Sequence, residues 1–303
     1  MKQGVLLAVL ASALFALLYY YSAIVPALSG EDIFAWRVLL GLPTAAVIIT
    51  RTRRWREVLW VQRRMLNTPG LFFLLALAAA LVGVQMWLFV WAPIHQRGLD
   101  VSMGYFLLPL AMVVVGAVCY KEKLSQMQKI AVAFATVGVA HELWRVGGLS
   151  WVTAVVVLGY PPYFMLRRYL RVSSISSLWF DFCFLSIPAC WILLGRQPST
   201  VSIFWDHLSL LLHVPLLGII SSVALVCYFA SSRLLPLGLF GILGYVEPVL
   251  LFWVAFLLLD EPISGAQWFT YVPIWIAVVC VTFEGLRNWY YSRQASHDYT
   301  TGA

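Results

Sequence analysis

Charged residues are scarce in this sequence. Of its 303 residues, 11% are charged and 62% are hydrophobic, and the mean hydropathy is +0.87. Soluble proteins usually carry about 25% charged residues to cover a water-exposed surface, so this composition excludes a soluble globular protein. No polar stretch is long enough to fold as a separate soluble domain. The sequence therefore predicts an all-α polytopic membrane protein.

Motifs of enzymes and of metal sites are also missing. The five cysteines lie in apolar runs without a CxxC pair, which argues against a disulfide framework and against a metal site. The five histidines are scattered, with no HExxH pair, and the sequence contains neither a GxSxG turn nor a glycine-rich nucleotide loop. We therefore expect no catalytic residue, no metal and no cofactor.

Apolar runs recur along the chain at the length of roughly 20 residues that spans a bilayer. Ten of them are found, at about 4–27, 33–50, 71–92, 102–120, 129–144, 149–166, 175–194, 211–231, 237–259 and 267–286. Only residues 145–148 separate the fifth run from the sixth, and they predict a helix stop followed by a tight turn. The sequence thus predicts ten transmembrane helices.

The basic residues lie almost entirely on one side of these runs. With the N-terminus placed inside, 16 Lys and Arg residues fall on the inner face, whereas Arg97, Arg145 and Arg196 fall on the outer face. Because cytoplasmic loops carry the excess of Lys and Arg, we expect both termini in the cytoplasm. This distribution also explains the net charge of +7 without a nucleic-acid partner.

The segment 51–66 is basic and amphipathic. Six arginines surround an apolar stripe made of Trp55, Val58, Leu59, Met65 and Leu66. A helix of this kind binds in the plane of the lipid headgroups. We expect the segment to lie on the cytoplasmic lipid surface, and a helix that binds a partner protein is the alternative.

One pattern occurs twice in the chain. The segments Pro109–Gln128 and Pro248–Gln267 both read Pro…Glu-x-[LI]-Ser-x-x-Gln, at a constant offset of 139 residues. An internal repeat of membrane-spanning segments is typical of transporters built from two related halves. Chance similarity between leucine-rich helices is the alternative explanation.

The repeat also predicts how the two halves are inserted. Each half has five spans, an odd number, so the second half should cross the membrane upside down. The flanking charges agree, since Lys121 and Lys123 fall inside while the segment 260–262 falls outside and lacks Lys and Arg. We predict a first repeat at 1–146, a second, inverted repeat at 147–286 and a short cytoplasmic tail at 287–303.

The span layout, the doubled pattern and the inverted halves together resemble the EamA-type permeases of the drug/metabolite transporter superfamily. Longer strings resemble the RarD branch of these permeases, and they lie at 28–37, 99–109, 141–151 and 244–249. The resemblance covers nearly the whole chain, although Lys121 stands where many such repeats carry a small or apolar residue. It implies a ten-helix bundle with a central cavity, and movement of small metabolites or drugs across the bacterial inner membrane.

Glu247 is the first candidate for a functional residue. An ionised group at the centre of a membrane helix costs about 2.5–3.5 kcal/mol, so it usually faces a cavity or a partner. Glu247 lies about ten residues into the ninth run, roughly 15 Å from its start and near the midplane. Pro248 follows it and removes a backbone donor, as in a broken helix that lines a cavity. We predict a contact to a substrate amine or a proton carrier, and a buried structural acid is the alternative.

Arg37 and Asp181 lie nearer to the ends of their spans. Arg37 is predicted to bind a substrate anion, to extend to the interface or to pair with Glu31 or Asp32. Asp181 is either its pseudo-symmetric counterpart near the cytoplasmic gate or an interface acid near Arg167 and Arg171.

Polar and aromatic side chains complete the predicted substrate cavity. They are Trp36, Gln85, Tyr105, Tyr160 and Tyr245. For the aromatic residues the alternative is the belt of Trp and Tyr at the lipid interface. For Gln85 the alternative is a hydrogen bond between helices.

The sequence therefore predicts a secondary transporter in the lipid bilayer that exports small organic solutes or drugs by alternating access. Without a nucleotide loop, transport has to be driven by a gradient, and proton coupling and the oligomeric state stay open. Two alternatives remain: a membrane sensor or partner subunit that transports nothing, and a membrane-embedded enzyme that modifies lipids.

Labelling from both sides of the membrane tests the inverted arrangement. In a chain whose native cysteines are replaced by serine, a cysteine next to Lys121 should react with an impermeant maleimide only from the cytoplasm. A cysteine next to Asp260 should react only from the opposite side, because five predicted spans separate the two turns. Reaction of both positions from one compartment would contradict the prediction.

Overall fold

The computed structural model describes residues 2–24, 28–94, 97–195, 206–258, 265–280 and 283–284. Within these ranges the chain is helical and contains no strand, which confirms the predicted all-α class. The segment 259–264, with the acidic turn of the second repeat, and the predicted tail at 287–303 lie outside the described residues.

The helices follow one another with short connections. The first six are α1 Lys2–Ile24, α2 Gly30–Arg51, α3 Trp55–Asn67, α4 Pro69–Ile94, α5 Gly98–Cys119 and α6 Gln126–Val146. The next five are α7 Trp151–Leu170, α8 Ser174–Leu194, α9 Leu210–Leu234, α10 Leu237–Leu243 and α11 Val246–Leu258. A 3-10 turn at Gly265–Gln267 leads into α12, Trp268–Cys280.

Five of the described helices are long and apolar enough to cross a membrane by themselves: α1, α2, α4, α8 and α9. They correspond to the first, second, third, seventh and eighth predicted spans. Shorter apolar helical segments lie at Met103–Cys119, at Trp268–Cys280 and at Leu237–Leu250, and the last of these includes α10 and the start of α11. The chain is therefore a multi-pass membrane protein, and five of its ten predicted spans meet this criterion.

Half of the repeated pattern has a local structural purpose. The Ser125 side chain accepts a hydrogen bond from the backbone N–H of Gln128, whose side chain accepts one from the Ser125 N–H. This reciprocal pair is a capping box, which satisfies backbone donors that the first turn of a helix leaves free. Ser29 and Asp32 form the same arrangement at the start of α2. The Ser-x-x-Gln part of the pattern thus sets where α6 begins.

The ninth predicted span contains a break close to Pro248, where the sequence suggested a broken helix. The chain turns at Gly244 and Tyr245, so the predicted span at 237–259 is divided into α10 and α11. Pro248 lies four residues after Gly244, and because it has no N–H it cannot form the hydrogen bond to the Gly244 carbonyl that would continue α10. It lies in the first turn of α11, where a proline has no intrahelical hydrogen bond to lose. Glu247 consequently lies at the N-terminus of a half-helix, where the helix dipole favours a negative charge.

The helices pack in a layered bundle around this break. α1 packs against α9, α2 packs against α8 and α9, and α4 packs against α7 and α8. α5 packs against α7 and α10, while α1 also contacts α10 and α11. At Gly241 of α10, an added Cβ would lie 2.7 Å from the Pro109 carbonyl oxygen, so glycine allows α10 to approach α5 closely.

The amphipathic helix α3 begins at Trp55, four residues later than the predicted segment. Its buried residues are Val58 and Val61, whereas Leu59 and Leu66 of the predicted stripe are exposed. Val58 and Val61 pack in a small core with Ile49 and Leu75. The bundle therefore holds α3 along a narrower face than the sequence predicted.

Candidate functional site

A carboxylate and three tyrosines converge inside the bundle. Glu247 of α11 interacts electrostatically with Tyr105 of α5, Tyr160 of α7 and Tyr228 of α9. The hydroxyl oxygens of Tyr105 and Tyr160 lie 3.4 Å apart. All four side chains are half-buried, so each keeps part of its surface free for another molecule. We call this group the Glu247 centre.

Aromatic rings enclose one side of the Glu247 centre. The ring centroid of Tyr228 lies 5.7 Å from that of Phe15, 5.6 Å from that of Phe164 and 4.9 Å from that of Phe240. Tyr160 stacks on Phe164 at 6.2 Å. Such a wall presents flat apolar faces beside a carboxylate, which suits a flat or cationic organic molecule.

Arg37 is buried next to this centre. Its Nε donates to the Ser221 hydroxyl at 2.9 Å, and its guanidinium lies 6.0 Å from the ring centroid of Phe89. The guanidinium also interacts electrostatically with Tyr105 and Tyr160. The Asp32 carboxylate accepts from the Ser29 backbone and hydroxyl, so the capping box engages one of the acids predicted to pair with Arg37. The structure thus brings Arg37, Tyr105, Tyr160 and Glu247 together.

Two other predicted site residues form structural hydrogen bonds. Tyr245 is buried, and its hydroxyl donates to the Phe106 carbonyl oxygen at 3.0 Å, which joins the α10–α11 break to α5. Gln85 is buried, and its Nε2 donates to the Val155 carbonyl oxygen of α7 at 3.0 Å. This bond is the alternative that the sequence left open for Gln85.

Trp36 is the remaining aromatic residue that the sequence predicted for the cavity. Its side chain is half-buried and packs against the separate apolar cluster that contains Leu18, Leu210 and Leu217. Phe15, whose ring packs against Tyr228, also packs against this cluster. Arg37, the neighbour of Trp36, points in a different direction because adjacent residues on a helix are about 100° apart.

Asp181 belongs to a closed ion pair. Its carboxylate accepts from Arg167 Nη1 at 2.8 Å and from the Tyr163 hydroxyl at 3.1 Å. Arg167 also donates to the Ser174 carbonyl oxygen at 3.1 Å, and its guanidinium lies 4.3 Å from the ring centroid of Phe229. The whole group is buried. Asp181 therefore has the arginine partner of its second sequence-based interpretation, and its charge is already compensated.

Sequence reasoning missed Tyr228 and Ser221 as members of the site. Both lie on α9, seven residues apart, and therefore on the same helical face. One polar face in an otherwise apolar span is a signal that could have found them. A polar face does not reveal which helix it contacts. The proximity of Tyr228 to Glu247 and of Ser221 to Arg37 could therefore be found only in the structure.

Glu122 of the repeated pattern is bonded to the other half of the chain. Its carboxylate accepts the backbone N–H groups of Leu237 and Gly238, each at 2.8 Å. Arg168 lies 3.4 Å from the same carboxylate and donates to the carbonyl oxygens of Ser232, at 3.2 Å, and Leu235, at 2.6 Å. We call these residues the Glu122 junction. The sequence marked Glu122 as part of a repeat and did not predict this contact.

Comparison with known proteins decides the family. No family model matches the chain. A protein of Pseudomonas aeruginosa named chloramphenicol-sensitive protein RarD is 44% identical over 285 residues, covering 94% of this chain and 95% of the relative. The chain belongs to the RarD family. This confirms the resemblance found in the sequence, and it makes the chain a membrane transporter.

Further relatives support this membership in the RarD family. An uncharacterized transporter of Haemophilus influenzae is 38% identical over 287 residues, and a protein RarD of Salmonella typhi is 29% identical over 297 residues. A solved crystal structure with 18% identity has a TM-score of 0.70 and covers 94% of this chain and 98% of its own. At 18% identity, this similarity is evidence about the fold of the chain and not about its function.

Replacing Asp181 by Asn separates a structural role from a role in binding. Because the substitution leaves the Arg167 charge buried without its counter-ion, we expect it to destabilise the protein by about 3–5 kcal/mol. Thermal unfolding of the purified transporter measures this loss. The double variant Arg167→Gln/Asp181→Asn should recover part of the stability, since both charges are then absent. Unchanged stability of Asp181→Asn would contradict a structural ion pair.

Proposed function

We propose that this protein is a secondary transporter that exports small organic solutes or drugs across the bacterial inner membrane by alternating access. The observation that carries the proposal is the Glu247 centre, in which a carboxylate at a half-helix N-terminus faces tyrosines from three other helices. Transporters often bind substrate near the midplane at a discontinuous helix. Glu247 acts as the polar anchor, by binding a substrate amine or by carrying a proton.

The helix packing supports two inverted halves, at 1–146 and 147–286. In the proposed repeat, α1, α2 and α4 correspond to α7, α8 and α9. If the two halves are related by symmetry, each contact between two helices should recur between their counterparts. The α1–α9 contact then predicts a contact between α7 and α4, and the α2–α9 contact predicts one between α8 and α4. Both resulting contacts are present in the bundle. The packing pattern thus maps onto itself, as a pseudo-two-fold axis requires.

One hydrogen bond fits the position of that axis. Tyr245 and Phe106, which are hydrogen-bonded, are separated by 139 residues, the offset of the repeated pattern. Equivalent residues of two symmetric halves meet only near their symmetry axis. Tyr105, the neighbour of Phe106, belongs to the Glu247 centre, so the proposed binding site lies beside the axis. Movement of one half against the other would then open the site to alternate sides.

The chemistry of the site favours a particular class of substrate. Glu247 offers a negative charge, and Tyr105, Tyr160 and Tyr228 offer ring faces and hydroxyl groups. Organic amines with an aromatic or other flat apolar portion match both features. Arg37 supplies a positive charge within reach of the same tyrosines, so a substrate that also carries an anionic or strongly polar group fits equally well.

The Glu122 junction would keep the bundle closed at its cytoplasmic end during one stage of the proposed transport cycle. In the proposed orientation, with both termini cytoplasmic, Glu122 and the start of α10 lie at the cytoplasmic end of the bundle. The carboxylate there joins the α5–α6 connection of one half to α10 of the other. Opening the bundle towards the cytoplasm therefore requires these hydrogen bonds to separate.

A comparison of cells with and without this chain identifies the substrate. Cells that express the transporter should release amine-bearing metabolites faster, and should accumulate less of an added aromatic amine or of chloramphenicol. The purified chain in liposomes should then exchange the identified compound. A compound-dependent phenotype without any flux in liposomes would instead support a sensor or partner subunit.

Replacing Glu247 by Gln removes the charge of the proposed anchor while keeping its shape. We expect counterflow of the identified substrate in liposomes to fall at least tenfold between pH 5 and 8, as the loss of one charged hydrogen bond of about 1.5 kcal/mol or more predicts. Glu57→Gln, on the exposed face of α3, is the matched control and should exchange at the wild-type rate. Wild-type exchange by Glu247→Gln across this pH range would remove Glu247 from the mechanism.

Replacing Glu122 by Gln weakens the proposed cytoplasmic closure. Val113 of α5 is buried, and its Cα lies 3.9 Å from a Cβ placed on Gly238, so a cysteine at position 113 reports opening there. Glu122→Gln should increase its labelling by a cytoplasmic maleimide about tenfold, because hydrogen bonds to a charged group are lost. Equal labelling with and without the substitution would contradict a gating role.

A further inference from the structure

A cavity lies between α1, α3, α8 and α9, and its described lining includes no residue of the Glu247 centre. It has a volume of about 860 Å³. Its described lining combines four arginines with an apolar wall, and we call it the arginine crevice. We propose that the arginine crevice binds an anionic phospholipid of the cytoplasmic leaflet. This inference does not rest on the proposed transport function.

The charge of the crevice is strongly positive. The arginines that line it are Arg54, Arg56, Arg171 and Arg233, and Glu57 is the sole acid among its described lining residues. Glu57 is engaged at 3.9 Å with Arg54. Among the described residues, neither Arg171 nor Arg233 has a carboxylate within ion-pair distance. These guanidinium groups are therefore available for a phosphate, which arginine binds through two parallel hydrogen bonds.

An apolar wall adjoins these arginines. Leu7 of α1 and Val226, Ala230 and Leu234 of α9 line the same cavity. The three α9 residues are spaced by four and lie on one helical face. Tyr228 is two residues from Val226, about 200° around the helix, so the crevice opens on the side of α9 that faces away from the Glu247 centre. Acyl chains fit this wall, whereas a water-soluble ligand would leave it uncovered.

Two neighbouring features add to the match with a phospholipid. α8 begins at Ser174 within the lining of the crevice, and the start of a helix favours a phosphate group. α3, which forms another wall, carries Arg56, Arg63 and Arg64, and basic amphipathic helices are held at anionic lipid surfaces. The crevice therefore combines a helix start that favours a phosphate group with a basic helix that favours an anionic lipid surface.

Native mass spectrometry of the full chain in detergent tests the proposal. The lipids are dioleoyl phosphatidylglycerol and dioleoyl phosphatidylcholine, which share their acyl chains and differ in charge. We expect tighter binding of phosphatidylglycerol. The variant Arg171→Gln/Arg233→Gln should weaken that binding by about 30-fold, as the contribution of roughly fivefold per surface arginine predicts.

A matched control separates the crevice from the general surface charge. Arg51→Gln/Arg53→Gln also removes two arginines, both exposed, outside the described lining and not on α3, and should leave phosphatidylglycerol binding close to that of the wild type. An equal loss in both double variants would overturn the proposal. So would equal binding of the two lipids by the wild-type chain.

A variant that keeps every charge tests the apolar wall. Ala230→Trp fills the crevice and should weaken phosphatidylglycerol binding, whereas unchanged binding would place the lipid elsewhere and overturn the proposal. Water-soluble sn-glycerol 3-phosphate distinguishes a lipid from a free phosphate. It should not displace phosphatidylglycerol at equal concentration, and displacement would assign the crevice to a soluble phosphate ester.

Discussion

An ionisable side chain within a membrane bundle must be surrounded by polar groups, and this constraint organises the interior of the transporter. Glu247 lies at the break between α10 and α11, within electrostatic reach of Tyr105, Tyr160 and Tyr228. The break supplies a helix N-terminus, which favours a negative charge. The tyrosines supply hydroxyl groups without adding further charge. The proposed binding site depends on this arrangement.

The other charges of the bundle differ in how fully they are engaged. Asp181 and Arg167 neutralise each other in a buried pair, and Glu122 binds Arg168 and two backbone N–H groups. These groups hold helices together, the first permanently and the second, in our proposal, until the cytoplasmic side opens. Arg37 has a neutral hydroxyl partner, and the arginine crevice keeps its positive charge. Incompletely compensated charge therefore marks the two places where we propose that ligands bind.

The sequence predicted the helical class and the family better than it predicted the direction in which each side chain points. The structure brings together four of the predicted candidates: Glu247, Arg37, Tyr105 and Tyr160. A charged or hydroxyl group within an apolar span is stabilised mainly by other polar groups, so such residues tend to lie together. The role of these four residues in substrate binding stays a prediction. Trp36 faces a different cluster although it is adjacent to Arg37, since helical period alone does not say which neighbour each face meets. The sequence suggested a broken helix at Pro248, and the break lies at Gly244 and Tyr245, where the N–H that proline lacks would have continued the helix.

The central claim is that position 247 faces a water-accessible chamber inside the bundle. In a chain whose native cysteines are replaced by serine, Glu247→Cys should react with a small, water-soluble, positively charged thiol reagent. Val137→Cys, in the middle of α6 and exposed on the outer surface of the bundle, should not react in the same vesicles. Substrate should protect position 247 from the reagent. A cysteine at 247 as unreactive as the one at 137, in both right-side-out and inverted vesicles, would contradict the account.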